Sequence, residues 1–155
     1  MTLPNEIRAL MISVTNGRVL LPNAAVTEII SFSHPDPVEG APPWLLGRMR
    51  WRGWGVPLIS FALLAGLAHK EAERNAKVTV VKAMGGNPRM PYLAIMAQGF
   101  PRLTNISQDA LIITGEEEYK APGVMYTTLL RDDTAIVPDL FQIEMLINDA
   151  LVLAA

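Results

Sequence analysis

Short runs of alternating apolar and polar residues follow one another along the chain, with turn-forming residues between them. The dipeptide Asn16-Gly17 separates two β-rich runs, at residues 7–15 and 18–21. Asn-Gly between such runs is a strong signal for a two-residue hairpin, because both residues tolerate positive φ. Residues 85–87 form a second turn of this kind. The pattern therefore predicts a chain built mainly from β-hairpins.

The segment from Trp44 to Ile59 predicts a further hairpin, because two β-rich runs flank Gly53-Trp54-Gly55. Alternation in the first run places two kinds of side chain on opposite faces of the strand. Three arginines share one face and two apolar residues share the other: Arg48, Arg50 and Arg52 against Met49 and Trp51. The strand is expected to bury its apolar face and to leave the arginines in solvent.

The second half of the chain repeats this pattern of short strands and tight turns. Strands are expected at residues 77–84, 90–96, 106–114, 124–130 and 134–137. Between them we expect an exposed connector at residues 68–74, an acidic loop at Glu116–Glu118 and a turn at Asp132-Asp133. Helical spacing of apolar residues near the end of the sequence predicts a helix over residues 142–153.

The two halves of the chain resemble each other weakly. Each opens with a hairpin and ends in a strand that contains Val-Pro, at Val56-Pro57 and Val137-Pro138. Many short strands with frequent turns favour small barrels or a sandwich. We therefore expect one all-β domain over residues 1–155, composed of a first barrel at 1–70, a second at 75–141 and the C-terminal helix.

Composition narrows the range of functions. Half of the residues are hydrophobic and 18% are charged, which suits a folded core rather than a disordered chain. The net charge of −2 argues against a nucleic-acid binder that works through bulk electrostatics. The sequence has no cysteine, so disulfides, thiolate metal ligands and thiol nucleophiles are excluded.

The sequence also predicts a location. Glu6 and Arg8 stand within the first ten residues, which lack the apolar segment of a signal peptide. The longest uncharged stretch, residues 53–68, is shorter than the roughly 20 residues that span a bilayer. We expect a soluble, cytoplasmic protein without direct membrane insertion.

No arrangement of residues predicts catalysis or metal binding. The two histidines, His34 and His69, stand alone, whereas metal sites need several convergent ligands. No Gly-x-Ser-x-Gly sequence marks a serine nucleophile, and Gly85-Gly86 lacks the lysine of a phosphate-binding loop. We expect no catalytic, cofactor-binding or metal-binding residues, and therefore a protein that is not an enzyme.

The segment from Trp44 to Trp54 is the chemically distinctive patch, with three tryptophans and three arginines. Single-stranded nucleic acid could stack its bases on tryptophan and place its phosphates against arginine. Alternatively, a barrel strand could bury tryptophan and expose arginine. A protein partner could also bind there, because both residue types are enriched at interface hot spots. The near-neutral net charge and the acidic loop at residues 116–118 count against nucleic acid.

Residues 41–59 read APPWLLGRMRWRGWGVPLI: a proline-led segment and a glycine, a strand that ends in Arg-Gly, two turn residues and an aliphatic-Pro strand. Upstream, Leu21-Pro22 precedes Val26-Thr27-Glu28-Ile29-Ile30. Gly123 and Val137-Pro138-Asp139-Leu140 stand in the second half. In this order the motifs resemble those of CheW-type coupling proteins of bacterial chemotaxis, over about residues 7–147.

This resemblance implies two five-stranded SH3-like barrels that pack on a shared hydrophobic core. It implies a non-catalytic adaptor with no cofactor, which couples chemoreceptors (methyl-accepting chemotaxis proteins) to a CheA-type histidine kinase. A groove between the barrels would take the helical cytoplasmic tip of a receptor, and one barrel end would dock the regulatory domain of the kinase. The alternative function, from a different class, is a β-barrel protein that binds single-stranded nucleic acid through the Trp44–Trp54 patch.

The protein-binding surface is expected to use eight residues: Val26, Ile29, Gly47, Arg50, Arg52, Gly53, Trp54 and Pro57. The resemblance places Arg52 among the residues that couple receptor and kinase. Arginine there can form forked hydrogen bonds to a carboxylate or to the carbonyl end of a helix. The alternative is that Arg52 bonds within its own barrel and maintains the shape of the groove.

The sequence departs from the family pattern at three places. Arg50 stands where asparagine is usual, and Ser60 stands where aspartate is usual. Residues 92–96 replace the usual Gly-Leu-x-Val-Asp. These departures indicate a divergent coupling protein, from a side-branch chemosensory system such as one that governs twitching motility.

Overall fold

The computed structural model describes residues 6–107, 111–114, 121–130 and 133–154. Its elements in chain order are β1 (Glu6–Val14), β2 (Gly17–Pro22), a 3-10 turn (Asn23–Ala25), β3 (Val26–Ser31), β4 (Leu45–Trp51), β5 (Trp54–Ile59), α1 (Phe61–Leu64), β6 (Ala76–Lys82), β7 (Tyr92–Gln98), β8 (Arg102–Ser107), β9 (Leu111–Thr114), β10 (Val124–Leu130), β11 (Asp133–Pro138) and α2 (Leu140–Ala154). The expected all-β architecture with a C-terminal helix is confirmed.

Local predictions agree with most of these elements. The Asn16-Gly17 hairpin joins β1 to β2, and Asn16 has the positive φ (62°) that the turn requires. The strand expected at residues 106–114 is instead two strands, β8 and β9. The expected Glu116–Glu118 loop lies outside the described residues, as does Asp132. The predicted helix begins two residues earlier, at Leu140.

The strands form two sheets, and most neighbouring strands in each sheet are antiparallel. One has five strands in the order β3-β6-β7-β5-β4, and the other has six in the order β8-β1-β2-β11-β10-β9. Strand pairing does not follow the expected division at residues 70–75. The first hairpin joins β8 and β11 from the second half, while β3, β4 and β5 join β6 and β7. Alternation identifies a strand and its buried face, but it does not identify the strand's partner.

The largest hydrophobic cluster lies between the two sheets and against α2. It contains Ile12, Val19 and Leu21 from the six-stranded sheet, Ile59, Leu93 and Ile95 from the five-stranded sheet, and Ile143 and Ile147 from α2. We call it the central core. Each sheet also encloses a smaller cluster on its other face, around Met49, Trp51 and Val80 in one and around Met11, Leu20 and Leu130 in the other. The shared core that the family resemblance implies is therefore present.

Helix α2 is anchored by a buried carboxylate as well as by its apolar face. Glu144 is 4% exposed and accepts hydrogen bonds from the backbone N–H groups of Met84 and Gly85, each at 2.9 Å. Asp139 caps the helix, since its Oδ1 accepts from the N–H of Gln142 at 3.0 Å. The contacts of Glu144 connect α2 to the loop between β6 and β7.

Candidate functional site

The turn between β4 and β5 is formed by Arg52 and Gly53, since β4 ends at Trp51 and β5 begins at Trp54. Their φ values are 48° and 81°, and a two-residue type I′ turn needs positive φ at both positions. The turn expected at residues 53–55 therefore lies one residue earlier. As a result, Arg52 does not continue the strand alternation and does not share a face with Arg48 and Arg50.

The side chain of Arg52 turns back onto its own sheet. Its Nη2 lies 3.3 Å from Glu28 Oε2, and its guanidinium carbon lies 4.5 Å from the centre of the Trp51 ring. The same Glu28 oxygen accepts a hydrogen bond from Trp51 Nε1 at 2.7 Å. These contacts match the alternative in which Arg52 bonds within its barrel. The Arg52 and Glu28 side chains nevertheless keep 62% and 40% exposure, so they remain accessible to a partner.

Glu28 also helps to close the five-stranded sheet. Its own strand, β3, is one edge of the sheet and β4 is the other, so its bond to Trp51 connects the two edges. A second connection lies further along β4, where Asp36 and Arg48 exchange two backbone hydrogen bonds of 2.9 Å. The sequence analysis missed the role of Glu28, although the residue lies in one of the motifs that carry the family resemblance.

Gly47 supports this closure. Its φ is +145°, and a Cβ at this position would lie 2.3 Å from the carbonyl oxygen of Asp36. The strand register also shifts between Leu45 and Gly47. The residue is buried, so its position indicates a packing role rather than direct contact with a partner.

The remaining predicted residues divide between the two faces of the sheet. Residues paired across neighbouring strands share a face of the sheet. Val26 is paired with Val81, which belongs to the central core. Ile29 is paired with Thr79, which lies on the same face of β6 as Val81 because the two are two residues apart. Val26 and Ile29 are both half-buried and lie on the central-core face. The same face carries two members of the β4–β5 hairpin, the exposed Arg50 and the buried Pro57.

Trp54 lies on the opposite face, because it is paired with Trp51. Trp54 is 41% exposed, whereas Trp51 is 7% exposed and packs edge-on against Tyr92 at 4.8 Å. Trp44 packs against the central core. Trp51 and Trp54 are therefore separated from the strand arginines, and Trp54 is the one exposed tryptophan, so no surface combines several exposed tryptophans with arginine in the way that stacking of single-stranded nucleic acid requires.

A cluster around Glu71 was also missed by the sequence analysis. Its carboxylate accepts hydrogen bonds from Thr15 Oγ1, from Ser60 Oγ and, at 3.2 Å, from Gln98 Nε2. These donors belong to the β1–β2 turn, the start of α1 and the end of β7. The segment expected to be an exposed connector thus connects the two sheets. Ser60, which stands where the family usually has aspartate, was the residue that could have indicated this cluster. Its hydroxyl donates a hydrogen bond to the carboxylate of Glu71.

The Glu71 cluster leads to a stability prediction. We expect Glu71→Ala to lower the free energy of unfolding by about 1–3 kcal/mol, because partly buried donors lose their acceptor. Urea denaturation measures the change. Glu73→Ala is the control. Among the described residues the Glu73 side chain forms only an exposed contact with His34 at 3.6 Å, and its loss should change stability by less than about 0.5 kcal/mol. Equal effects of the two substitutions would contradict a bridging role for Glu71.

Neither a metal cluster nor a membrane-spanning helix is found in the part of the chain that the structure describes. Within it, no three His, Cys, Asp or Glu side chains converge as metal ligands would. None of the described helices has the length and apolar character to cross a bilayer.

Comparisons with known proteins agree with this geometry. The family model of the CheW-like domain matches residues 8–145. No curated protein matches the chain. Among solved structures, the scaffolding protein TtCheW from Thermoanaerobacter tengcongensis has a TM-score of 0.72 and 13% sequence identity, over 86% of this chain and 89% of that one. This likeness confirms the expected fold of two SH3-like barrels. Since the family model covers most of its length, the chain belongs to the CheW-like domain family.

Proposed function

We propose that this protein is a non-catalytic adaptor that couples chemoreceptors to a CheA-type histidine kinase. The observation that carries the proposal is the CheW-like domain over residues 8–145, since membership of this family supports a scaffold or adaptor role in chemotaxis. Such a role places the protein in the cytoplasm, at the receptor arrays. The assignment to a twitching-motility system stays a prediction from the sequence.

The proposed receptor site is an open groove where the β1–β2 hairpin meets the end of α1. The groove has a volume of about 650 Å³, and its lining includes Val14, Leu67 and Ile136. Val14 and Ile136 come from the six-stranded sheet, and Leu67 comes from the segment that follows α1. An apolar stripe on a helical receptor tip would bury its side chains here.

The proposed kinase site is the end of the five-stranded barrel at the β4–β5 turn. Trp54 supplies an exposed aromatic surface, and Arg52 adds an accessible guanidinium beside it. Tryptophan and arginine are the residue types that most often dominate binding energy at interfaces. Gly53 completes the turn without a side chain and therefore leaves the approach open.

The test is binding of the purified chain to two separate fragments, the regulatory domain of the organism's CheA-type kinase and a receptor cytoplasmic tip. We expect Arg52→Ala to weaken binding to at least one fragment by about 1–3 kcal/mol, as hot-spot truncations do. The thermal midpoint should remain near that of the wild type, because the Arg52–Glu28 ion pair is exposed and contributes little stability. Calorimetric titration and thermal unfolding of the same samples measure both quantities.

Glu28→Gln is the matched control for Arg52→Ala. It removes the charge that holds Arg52 within the barrel but keeps an oxygen that can accept from Trp51 Nε1. Direct contact of Arg52 with a partner predicts that Glu28→Gln binds nearly as well as the wild type. Wild-type binding by a folded Arg52→Ala would refute the role of Arg52, and failure of the wild-type chain to bind either fragment would refute the adaptor function.

A further inference from the structure

Two arginines of β4 stand on one face without a charged partner among the described residues. Arg48 and Arg50 are two residues apart in a strand, so their side chains project from the same face at a spacing of roughly 6.6 Å. Within the described part of the chain, neither side chain forms an ion pair or hydrogen bond, whereas Arg18 and Arg52 each bind a carboxylate. Asp36 lies directly opposite Arg48, but their side chains do not come within ion-pair distance.

The surface beside these arginines is open. Gly55 lies opposite Arg50 and has no side chain, and the buried Pro57 lies opposite Arg48. A Cβ added at Gly55 would meet only the Cδ of Arg48, at the ordinary contact distance of 3.8 Å. Strand β4 is also an edge of its sheet, so none of the described strands flanks the arginines beyond the Asp36 bridge. We call Arg48, Arg50 and Gly55 the arginine face.

The positive charges of the arginine face indicate which chemical groups a ligand would present to it. The chain as a whole carries a net charge of −2, so two adjacent unpaired guanidinium groups form a local patch of opposite sign. A guanidinium group binds a carboxylate through two parallel hydrogen bonds. Carboxylates at positions i and i+4 of a helix are about 6 Å apart along its axis, which matches the spacing of the two arginines.

We propose that the arginine face docks an acidic helix of a partner protein, with two carboxylates one helical turn apart against Arg48 and Arg50. The proposal rests on the adaptor function and adds the chemistry of one of its partners. Phosphates of a single-stranded nucleic acid would also pair with arginine. A protein is favoured because Trp54, the one exposed tryptophan, lies on the opposite face of the sheet, while Trp44 packs against the central core, so the arginine face offers no exposed tryptophan on which bases could stack.

A labelled helical peptide tests the proposal directly. The probe is alanine-rich with glutamate at i and i+4, the control peptide has glutamine at those positions, and oligo-dT serves as the nucleic acid. We expect the glutamate peptide to bind and the glutamine peptide to bind at least about tenfold more weakly. Raising the salt from about 0.05 to 0.3 M should weaken the first interaction. Fluorescence anisotropy measures all three ligands.

Two variants of the arginine face test separately how its charge and its open shape contribute to peptide binding. Arg48→Glu/Arg50→Glu should weaken binding of the glutamate peptide at least about tenfold, because the patch changes sign. Gly55→Val keeps the charge but fills the open surface, and it should weaken binding at least about fivefold. Arg8→Glu/Arg89→Glu is the control, since it makes the same charge change at exposed sites elsewhere and should bind like the wild type.

Four results would overturn the proposal: equal binding of the two peptides, an equal loss in the Arg8→Glu/Arg89→Glu control, wild-type binding by Arg48→Glu/Arg50→Glu, or tighter binding of oligo-dT than of the glutamate peptide. The kinase and receptor fragments then separate this proposal from the adaptor function. Reduced binding of one fragment by a folded Arg48→Glu/Arg50→Glu supports the arginine face. Unchanged binding of both overturns it, while failure of the wild-type chain to bind either fragment overturns the adaptor function.

Discussion

Gly47→Ala is expected to lower the free energy of unfolding by about 2–5 kcal/mol. Part of this loss, about 1–2 kcal/mol, is the cost of holding a residue with a Cβ at a φ of +145°, which glycine adopts without strain. The rest, about 1–3 kcal/mol, arises because the new Cβ would lie 2.3 Å from the Asp36 carbonyl oxygen, a backbone atom that cannot move aside without breaking the Asp36–Arg48 bridge. Urea denaturation followed by far-ultraviolet circular dichroism measures the change.

Gly53→Ala is the matched control for Gly47→Ala. Gly53 also has a positive φ, 81°, but a Cβ there would meet nothing within 4 Å. We therefore expect only the backbone cost, about 1–2 kcal/mol. If Gly47→Ala destabilised the protein no more than Gly53→Ala, the close approach of Asp36 would not constrain the sheet closure. The same result would favour the expectation that Gly47 contacts a partner protein.

Glu144→Ala should destabilise the protein by about 2–5 kcal/mol. The substitution removes the acceptor of two part-buried backbone hydrogen bonds, from Met84 and Gly85, and a hydrogen bond to a carboxylate contributes about 1.5–3 kcal/mol. It also opens a cavity beneath α2, because the side chain is 4% exposed. Chemical denaturation gives the magnitude, and amide hydrogen exchange at Met84 and Gly85 locates the loss.

Glu144→Gln tests whether the carboxylate itself is needed. Glutamine keeps one oxygen acceptor but turns the second oxygen into an NH₂ group, which cannot accept from a backbone N–H. Its loss should therefore fall between the wild type and Glu144→Ala. Stability within about 0.5 kcal/mol of the wild type for Glu144→Ala would contradict the anchoring role, since that is the range of ordinary surface substitutions.

Features encoded by neighbouring residues could be predicted from the sequence. The Asn16-Gly17 hairpin, the alternation of Arg48 and Arg50 with Met49, and the C-terminal helix all depend on local spacing, and all are present. The β4–β5 turn was placed one residue late because Gly53-Trp54-Gly55 contains two glycines. The hairpin instead uses Arg52 at the first turn position, where the non-glycine residue accepts a φ of 48°.

Features that depend on distant residues could not be predicted. Glu28, Glu71 and Glu144 are acidic residues in segments that read as strand, connector and helix. Each carboxylate is bound by donors from other parts of the chain, and such contacts leave no periodic signature in the sequence. The pairing of strands is hidden for the same reason. The two faces of the Trp44–Trp54 patch followed from alternation, but the turn of Arg52 toward Glu28 did not.

The order of strands in the two sheets has a consequence for how the chain folds. All strands of the five-stranded sheet lie between residues 26 and 98, so that sheet is continuous in the sequence. The six-stranded sheet surrounds it, because β1 and β2 precede this segment and β8 to β11 follow it. Closing long loops costs chain entropy before their contacts form, which slows non-local pairing.

During synthesis the five-stranded sheet can therefore assemble first, while the N-terminal hairpin waits for β8 and β11 to leave the ribosome. The outer backbone edges of β1 and β2, which pair with β8 and β11 in the folded protein, stay unpaired during the delay. Folding of the five-stranded sheet would bring residues 26 and 98 closer together than in the unfolded chain. The loop that must close when β1 and β2 pair with β8 and β11 would then be effectively shorter. The strand order thus favours assembly of the five-stranded sheet before the six-stranded sheet.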